Sequence, residues 1–263
     1  TGKTTLLRAV SADLTVELVE PRVRQRFEKD PSLLHDQIRA LNKKRPLVVI
    51  DEVQKVPELM DVAQALIDKG QAQFVLTGSS ARKLRRQRHV NLLPGRIVSL
   101  RLDPLTLQES LPETLSEAVV DGALPGIRNQ RSPQDRESDL LSYVETYLEE
   151  EVRQEALVKR MAPFERFLEM AALESGRIIN FSRIASDIGV SPPTVQGYYE
   201  VLEDCLVAER VEPITRSATR QKLTRSSRYI LFDLGVRRLA AGEGDRLGPG
   251  RVGDLCDQMW TKT

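Results

Sequence analysis

The stretch "RPLVVIDE" constrains this chain more than any other. A strand with one solvated face alternates apolar and polar residues, whereas Pro46 to Ile50 offers no polar position before the acids Asp51 and Glu52. Such a run suits a strand covered on both faces, as in a parallel sheet flanked by helices. Two more apolar runs, Leu14 to Val19 and Gln73 to Leu76, lie on either side of it, with helical patterns between. That alternation predicts an α/β domain with a doubly wound parallel sheet, and a fourth strand is expected over Arg96 to Leu102, before Pro104.

From about Pro112 the pattern changes. Gly122, Pro125, Gly126 and Pro133 punctuate loops, and long helical repeats follow: Leu141, Val144, Leu148 and Val152, then Phe164, Phe167, Leu168, Ala171 and Ala172. The second half is therefore expected to be mainly α. Further on, "FSRIASDIGVSPPTVQGYYEVLED" places Ser182 as the cap of a short helix ending at Gly189, and Ser191-Pro192 at the start of a second helix. Ile184, Ala185, Ile188, Val195, Tyr199 and Leu202 are their expected shared core, and the alternating "LVAERVEPI" after them suits a β-wing. Residues 242–253 hold five glycines and a proline, which predicts a linker.

With 263 residues the chain has room for two domains. Thirty-nine basic and 38 acidic side chains leave a net charge of +1, so attraction to nucleic acid would need local clustering. Cys205 and Cys256 match no metal-ligand spacing and fit two unpaired thiols in the reducing cytoplasm. No apolar run approaches the ~20 residues needed to span a bilayer, so a membrane partner is not expected.

The chemistry-bearing pattern has three parts. "TGKTT" carries Gly2, Lys3 and Thr4 in the order of the last fixed positions of a phosphate-binding loop, G-x-x-x-x-G-K-[ST], flanked by Thr1 and Thr5. The first glycine of such a loop would fall five residues before Gly2, so the chain is expected to be a piece of a longer protein. Asp51 and Glu52 follow the buried strand, where one carboxylate can serve a nucleotide-bound Mg²⁺ and the other can orient an attacking water. Solvated strand ends are also often acidic. "FVLTGSS" then sets Thr77 and Ser79 beyond the next strand, at a place for a γ-phosphate sensor or for an ordinary turn.

Taken with "VVIDEVQKVPEL", "FVLTGSSARKL", "LLPGR", "YVETYLEEEV" and "ILFDLGVRR", these stretches resemble bacterial and archaeal predicted ATPases of the AAA+ superfamily. In that group a P-loop domain precedes a winged-helix-like region of unknown function. The resemblance implies ATP and Mg²⁺ as ligands, with Lys3 on the β- and γ-phosphates, Thr4 and Asp51 on the metal, Glu52 as the base for water, and Thr77 or Ser79 as sensor. It divides the chain into an ATPase core at 1–111, a helical connector at 112–160, a winged-helix-like domain at 161–232, and a linker with the start of a further domain at 233–263. The strand expected before the phosphate loop would lie in the middle of the sheet.

Basic residues supply the remaining candidates. Arg96, after Gly95, is the best placed of a run that includes Arg82, Lys83, Arg85, Arg86, Arg88 and Arg101; it suits an arginine finger reaching a neighbouring copy in a homo-oligomer, a nucleic-acid contact, or an ion pair. The helix-turn-helix segment is poor in positive charge, with four arginines against nine acids over residues 164–214. Any DNA contact would therefore come from Arg216, Arg220, Lys222, Arg225 and Arg228. Two readings follow: an ATP-driven switch acting on a protein or DNA client, or a DNA- or protein-binding adaptor with an inactive ATPase domain. His35 and His89 lack a nucleophilic partner at any recognisable spacing and read as surface or packing residues.

Overall fold

The computed structural model describes residues 2–78, 98–112, 114–130, 132–148, 161–212, 227–245 and 248–260. The chain divides into two compact units, one over Gly2–Leu102 and the other over Asp103–Thr263.

In the first unit, helix α1 (Lys3–Arg8) leads to strand β1 (Leu14–Glu17), helices α2 (Pro21–Lys29) and α3 (Leu33–Ala40), strand β2 (Leu47–Asp51), a 3₁₀ turn (Val53–Lys55), helix α4 (Glu58–Asp68) and strand β3 (Gln73–Leu76). The strands form a parallel sheet in the order β1-β2-β3, with Val16 opposite Ile50 and Ile50 opposite Leu76. β2 is central, and Val48, Val49 and Ile50 are all buried, as a run without polar positions requires. Helices cover it because their apolar residues recur at helical spacing: α4 buries Leu59, Met60, Ala63 and Leu66, and α2, opened by Pro21 in its first turn, buries Phe27.

The strand expected over Arg96 to Leu102 does not appear in its described part. Residues 98–102 belong to neither sheet of the described residues, and Val98 and Leu100 are 84% and 88% exposed. Alternating apolar residues make a strand only where a neighbour accepts the ladder hydrogen bonds, and no strand among the described residues lies beside them.

The second unit holds α5 (Leu115–Asp121), α6 (Pro125–Arg128), α7 (Pro133–Ser142) continued by a π turn (Tyr143–Leu148), α8 (Met161–Leu173), α9 (Phe181–Ile188), α10 (Pro192–Asp204), strands β4 (Ala208–Val211) and β5 (Arg228–Leu231), α11 (Leu234–Ala240) and α12 (Pro249–Trp260). One core runs through it, joining Leu124, Ile127 and Leu140 to Phe164, Phe167, Tyr199, Tyr229 and Val236. All six residues expected between α9 and α10 are buried. β4 and β5 pair antiparallel, and Ile178 adds a single bridge to Arg228.

Three details differ from the sequence reading. α9 is capped by Asn180, whose side chain accepts from Arg183 N at 3.1 Å, rather than by Ser182; the earlier start brings Phe181 against Tyr199. Leu141 is exposed and Leu140 buried, because the chain enters a π turn at Tyr143 that rotates the apolar stripe. The glycine-rich stretch expected as a linker is helical from Pro249, and α11 before it is buried, with Gly235 packed so tightly that an added Cβ would lie 2.7 Å from the Asp121 carbonyl. Gly235 serves close backbone approach, whereas a Cβ added at Gly242, Gly244, Gly248, Gly250 or Gly253 of the expected linker would meet nothing within 4 Å.

Candidate functional site

The Gly2–Leu102 unit gathers the expected residues from three segments that are remote in sequence. Gly2 sits at φ 83°, a left-handed conformation open to glycine at little cost, and turns the chain into α1. The first helical turn then carries Lys3, Thr4 and Thr5, of which Thr4 and Thr5 are exposed. β2 ends in Asp51, 4% exposed, and the chain leaves it through Glu52 in a left-handed conformation at φ 60° and ψ 46°. β3 ends in Leu76, and Thr77 follows at once.

Hydrogen bonds tie these segments together. Thr4 Oγ1 donates to Asp51 Oδ2 at 3.3 Å, while the Thr77 hydroxyl donates to Asp51 Oδ1. Thr77 also accepts from Glu52 N at 3.2 Å through its hydroxyl and from Val53 N at 2.9 Å through its carbonyl. Lys3 Nζ donates to the Gly78 carbonyl at 3.0 Å and lies 3.8 Å from Glu52 Oε1. The other oxygen of that carboxylate accepts from Gln54 Nε2. One ammonium, two carboxylates and two hydroxyls thus meet at the ends of β2 and β3, the edge where α/β sheets bind ligands.

The donor set suits a hard divalent cation. A threonine hydroxyl and a carboxylate oxygen 3.3 Å apart are oxygen ligands of the kind Mg²⁺ accepts beside substrate phosphates and water. Among the described residues no three His, Cys, Asp or Glu side chains cluster as a protein-only metal cage. Thr1, Ser79 and Arg96 lie outside the described residues, as do His89 and the other basic residues from Arg82 to Arg88. So do Arg216, Arg220, Lys222 and Arg225; Arg228 opens β5 with an exposed side chain. His35 is a surface residue beside Asp36. The sequence reading missed Gln54, whose only signal is an amide two positions after the second acid.

Residues 1–111 match the AAA domain family. Residues 112–246, just over half of the chain, match a domain of unknown function (DUF8612). The chain belongs to the DUF8612 family. In this DUF8612 member the family region is preceded by a P-loop ATPase-like region with a small parallel sheet, and is itself mostly helical. Two curated relatives, the uncharacterized protein Rv2008c of Mycobacterium tuberculosis and the uncharacterized protein Mb2031c of Mycobacterium bovis, are each 28% identical to it over 252 residues. The match takes in 94% of this chain and 55% of each relative, so the chain spans little more than half their length. No solved structure matches the chain. Among the described residues no helix is long and apolar enough to cross a membrane.

Proposed function

We propose that the site binds ATP with Mg²⁺ and hydrolyses it, and that the cycle acts as a conformational switch on a client. The observation that carries this reading is the shared carboxylate: Asp51 takes the Thr4 hydroxyl on one oxygen and the Thr77 hydroxyl on the other, beside the Lys3–Glu52 pair. Thr4 and Asp51 would hold the metal, which supplies charge neutralisation and a template for the phosphates. Lys3 carries the positive charge for the β- and γ-phosphates. Glu52 orients a water and takes its proton as the water oxygen bonds to the γ-phosphorus; the bond to the β–γ bridging oxygen breaks and its electron pair stays on ADP. Thr77 joins the metal-side carboxylate to the Glu52 backbone and is therefore placed to sense the γ-phosphate.

Titration with a fluorescent ATP analogue, paired with phosphate release, tests this. Glu52→Gln should keep binding and lose about 100-fold or more in turnover. Lys3→Ala should weaken binding by roughly tenfold or more, as expected for loss of a charge-assisted contact. Wild-type protein that neither binds nor turns over ATP would leave the adaptor reading.

A second proposal concerns α8 to β5. Three helices, a short helix-turn-helix and a two-stranded ladder support a winged-helix arrangement. In that arrangement α10 is the recognition helix, and it carries Glu200, Glu203 and Asp204 with no basic residue, so its charges favour a protein client over a phosphate backbone. A DNA-shift titration across salt concentrations tests this: salt-sensitive binding would overturn the preference.

A further inference from the structure

The Glu52 carboxylate meets Lys3 and Gln54 on different oxygens. Oε1 faces Lys3 Nζ at 3.8 Å, and Oε2 accepts from the Gln54 side-chain amide. The reach from position 54 back to 52 depends on the backbone. Glu52 is left-handed, Val53–Lys55 turn as a 3₁₀ helix with Lys55 N on Glu52 O at 2.9 Å, and Thr77 fixes the Glu52 and Val53 amides from the next strand. A non-glycine residue in that conformation persists only where its surroundings over-determine it.

We propose that Gln54 is a positioning residue for hydrolysis, holding one oxygen of Glu52 so that the other is presented to water when a triphosphate draws Lys3 away. This inference rests on the hydrolytic reading above. An amide suits the task because it donates a hydrogen bond without carrying charge. A lysine at 54 would compete with Lys3 for the carboxylate, and a glutamate would repel it. With Oε2 held, rotation of the carboxylate about its terminal bond is restricted and Oε1 keeps its direction after Lys3 leaves. Without Gln54 the base is still present but loses the hydrogen bond that holds Oε2, which costs turnover rather than binding.

The test uses wild type, Gln54→Ala, the near-isosteric Gln54→Glu and, as a reference, Glu52→Gln. Phosphate-release kinetics are read alongside affinity for a non-hydrolysable ATP analogue and the melting temperature. Both Gln54 variants should lose about tenfold or more in kcat, with KM and analogue affinity within about threefold of wild type. Unchanged kcat in either variant overturns the proposal. So does a fall in affinity that matches the fall in kcat, since that marks general disruption of the loop. Should Gln54→Ala melt early, Gln54→Glu still decides, because it preserves side-chain volume. If Glu52→Gln is inactive while Gln54→Glu turns over normally, this inference fails alone; if wild type has no turnover, the hydrolytic reading fails and takes it along.

Discussion

Thr77 and Asp51 are joined by a side-chain hydrogen bond across 26 positions of sequence. The same hydroxyl accepts from Glu52 N, so a single side chain fixes the metal-side carboxylate and the backbone of the proposed base. Replacing it by valine keeps the shape and removes both bonds. Thr77→Val should destabilise the first unit by about 1–3 kcal/mol, the cost of leaving a buried polar group without its partner. Thr77→Ser should stay near wild type. Urea denaturation of the three proteins checks this, and equal stability of the valine variant would separate Thr77 from the site's architecture.

Local pattern made most of this architecture legible, and long-range partners account for what it missed. β2 and β3 fall on Leu47–Asp51 and Gln73–Leu76 as the apolar runs predict, because strands next to a packed core declare themselves by composition. α10 starts at Pro192 behind its Ser191 cap, whose hydroxyl accepts from Thr194 N at 3.3 Å, because capping is written within four residues. By contrast, residues 98–102 have a strand-like sequence but no described strand beside them, and that lies outside local pattern. The convergence of Lys3 with Glu52 and of Thr4 with Asp51 was expected only from the order of motifs along the chain. Gln54 escaped because its partner is fixed by the left-handed turn at Glu52, a conformation that sequence rarely assigns to glutamate.

Gly122 and Asp233 give a sharper steric test. Gly122 lies at φ 69°, and an added Cβ would meet Asp233 Oδ1 at 2.1 Å. That oxygen accepts from Val236 N at 2.9 Å, capping α11, and Oδ2 accepts from Ala123 N at 2.7 Å. Gly122→Ala should cost about 2–4 kcal/mol, combining left-handed strain with loss of the cap. Asp233→Ala removes the clash, so the double variant should lose less than the sum of the two single losses. Additive losses in a denaturation cycle would contradict the contact.

Glu203 on α10 predicts a dependence on pH. Burial raises its pKa above the ordinary glutamate value; Arg210 opposes this, and Asp204, Glu200 and Glu212 add to it. A carboxyl with a raised folded-state pKa binds more protons folded than unfolded. Its contribution is therefore present below the unfolded pKa and is lost as pH rises through the folded one. Glu203→Gln should melt above wild type near neutral pH, and the difference should shrink as pH falls through the raised folded-state pKa and level off below the ordinary glutamate value of about 4.3. Melting curves across that range check it; a constant difference would place the effect elsewhere.

Arg237 is fully buried on α11, with Nε donating to the Ala172 carbonyl at 2.7 Å and both terminal nitrogens meeting the Glu243 carboxylate. Removing one partner of a buried pair leaves the other charge poorly compensated, whereas replacing both by neutral groups of similar volume does not. Arg237→Ala should therefore lose about 3–5 kcal/mol, and Arg237→Met nearly as much, although methionine refills most of the space. Adding Glu243→Gln to Arg237→Met should recover a large part of the loss. Burial already pushes the Glu243 pKa upward, against the pull of Arg238 and Arg177. The Arg237→Met penalty should accordingly shrink in acid, where Glu243 takes up a proton instead of standing charged. Urea titrations of the cycle at acid and neutral pH decide the matter: a penalty that ignores both pH and the partner substitution would make Arg237 a packing residue whose charge is incidental.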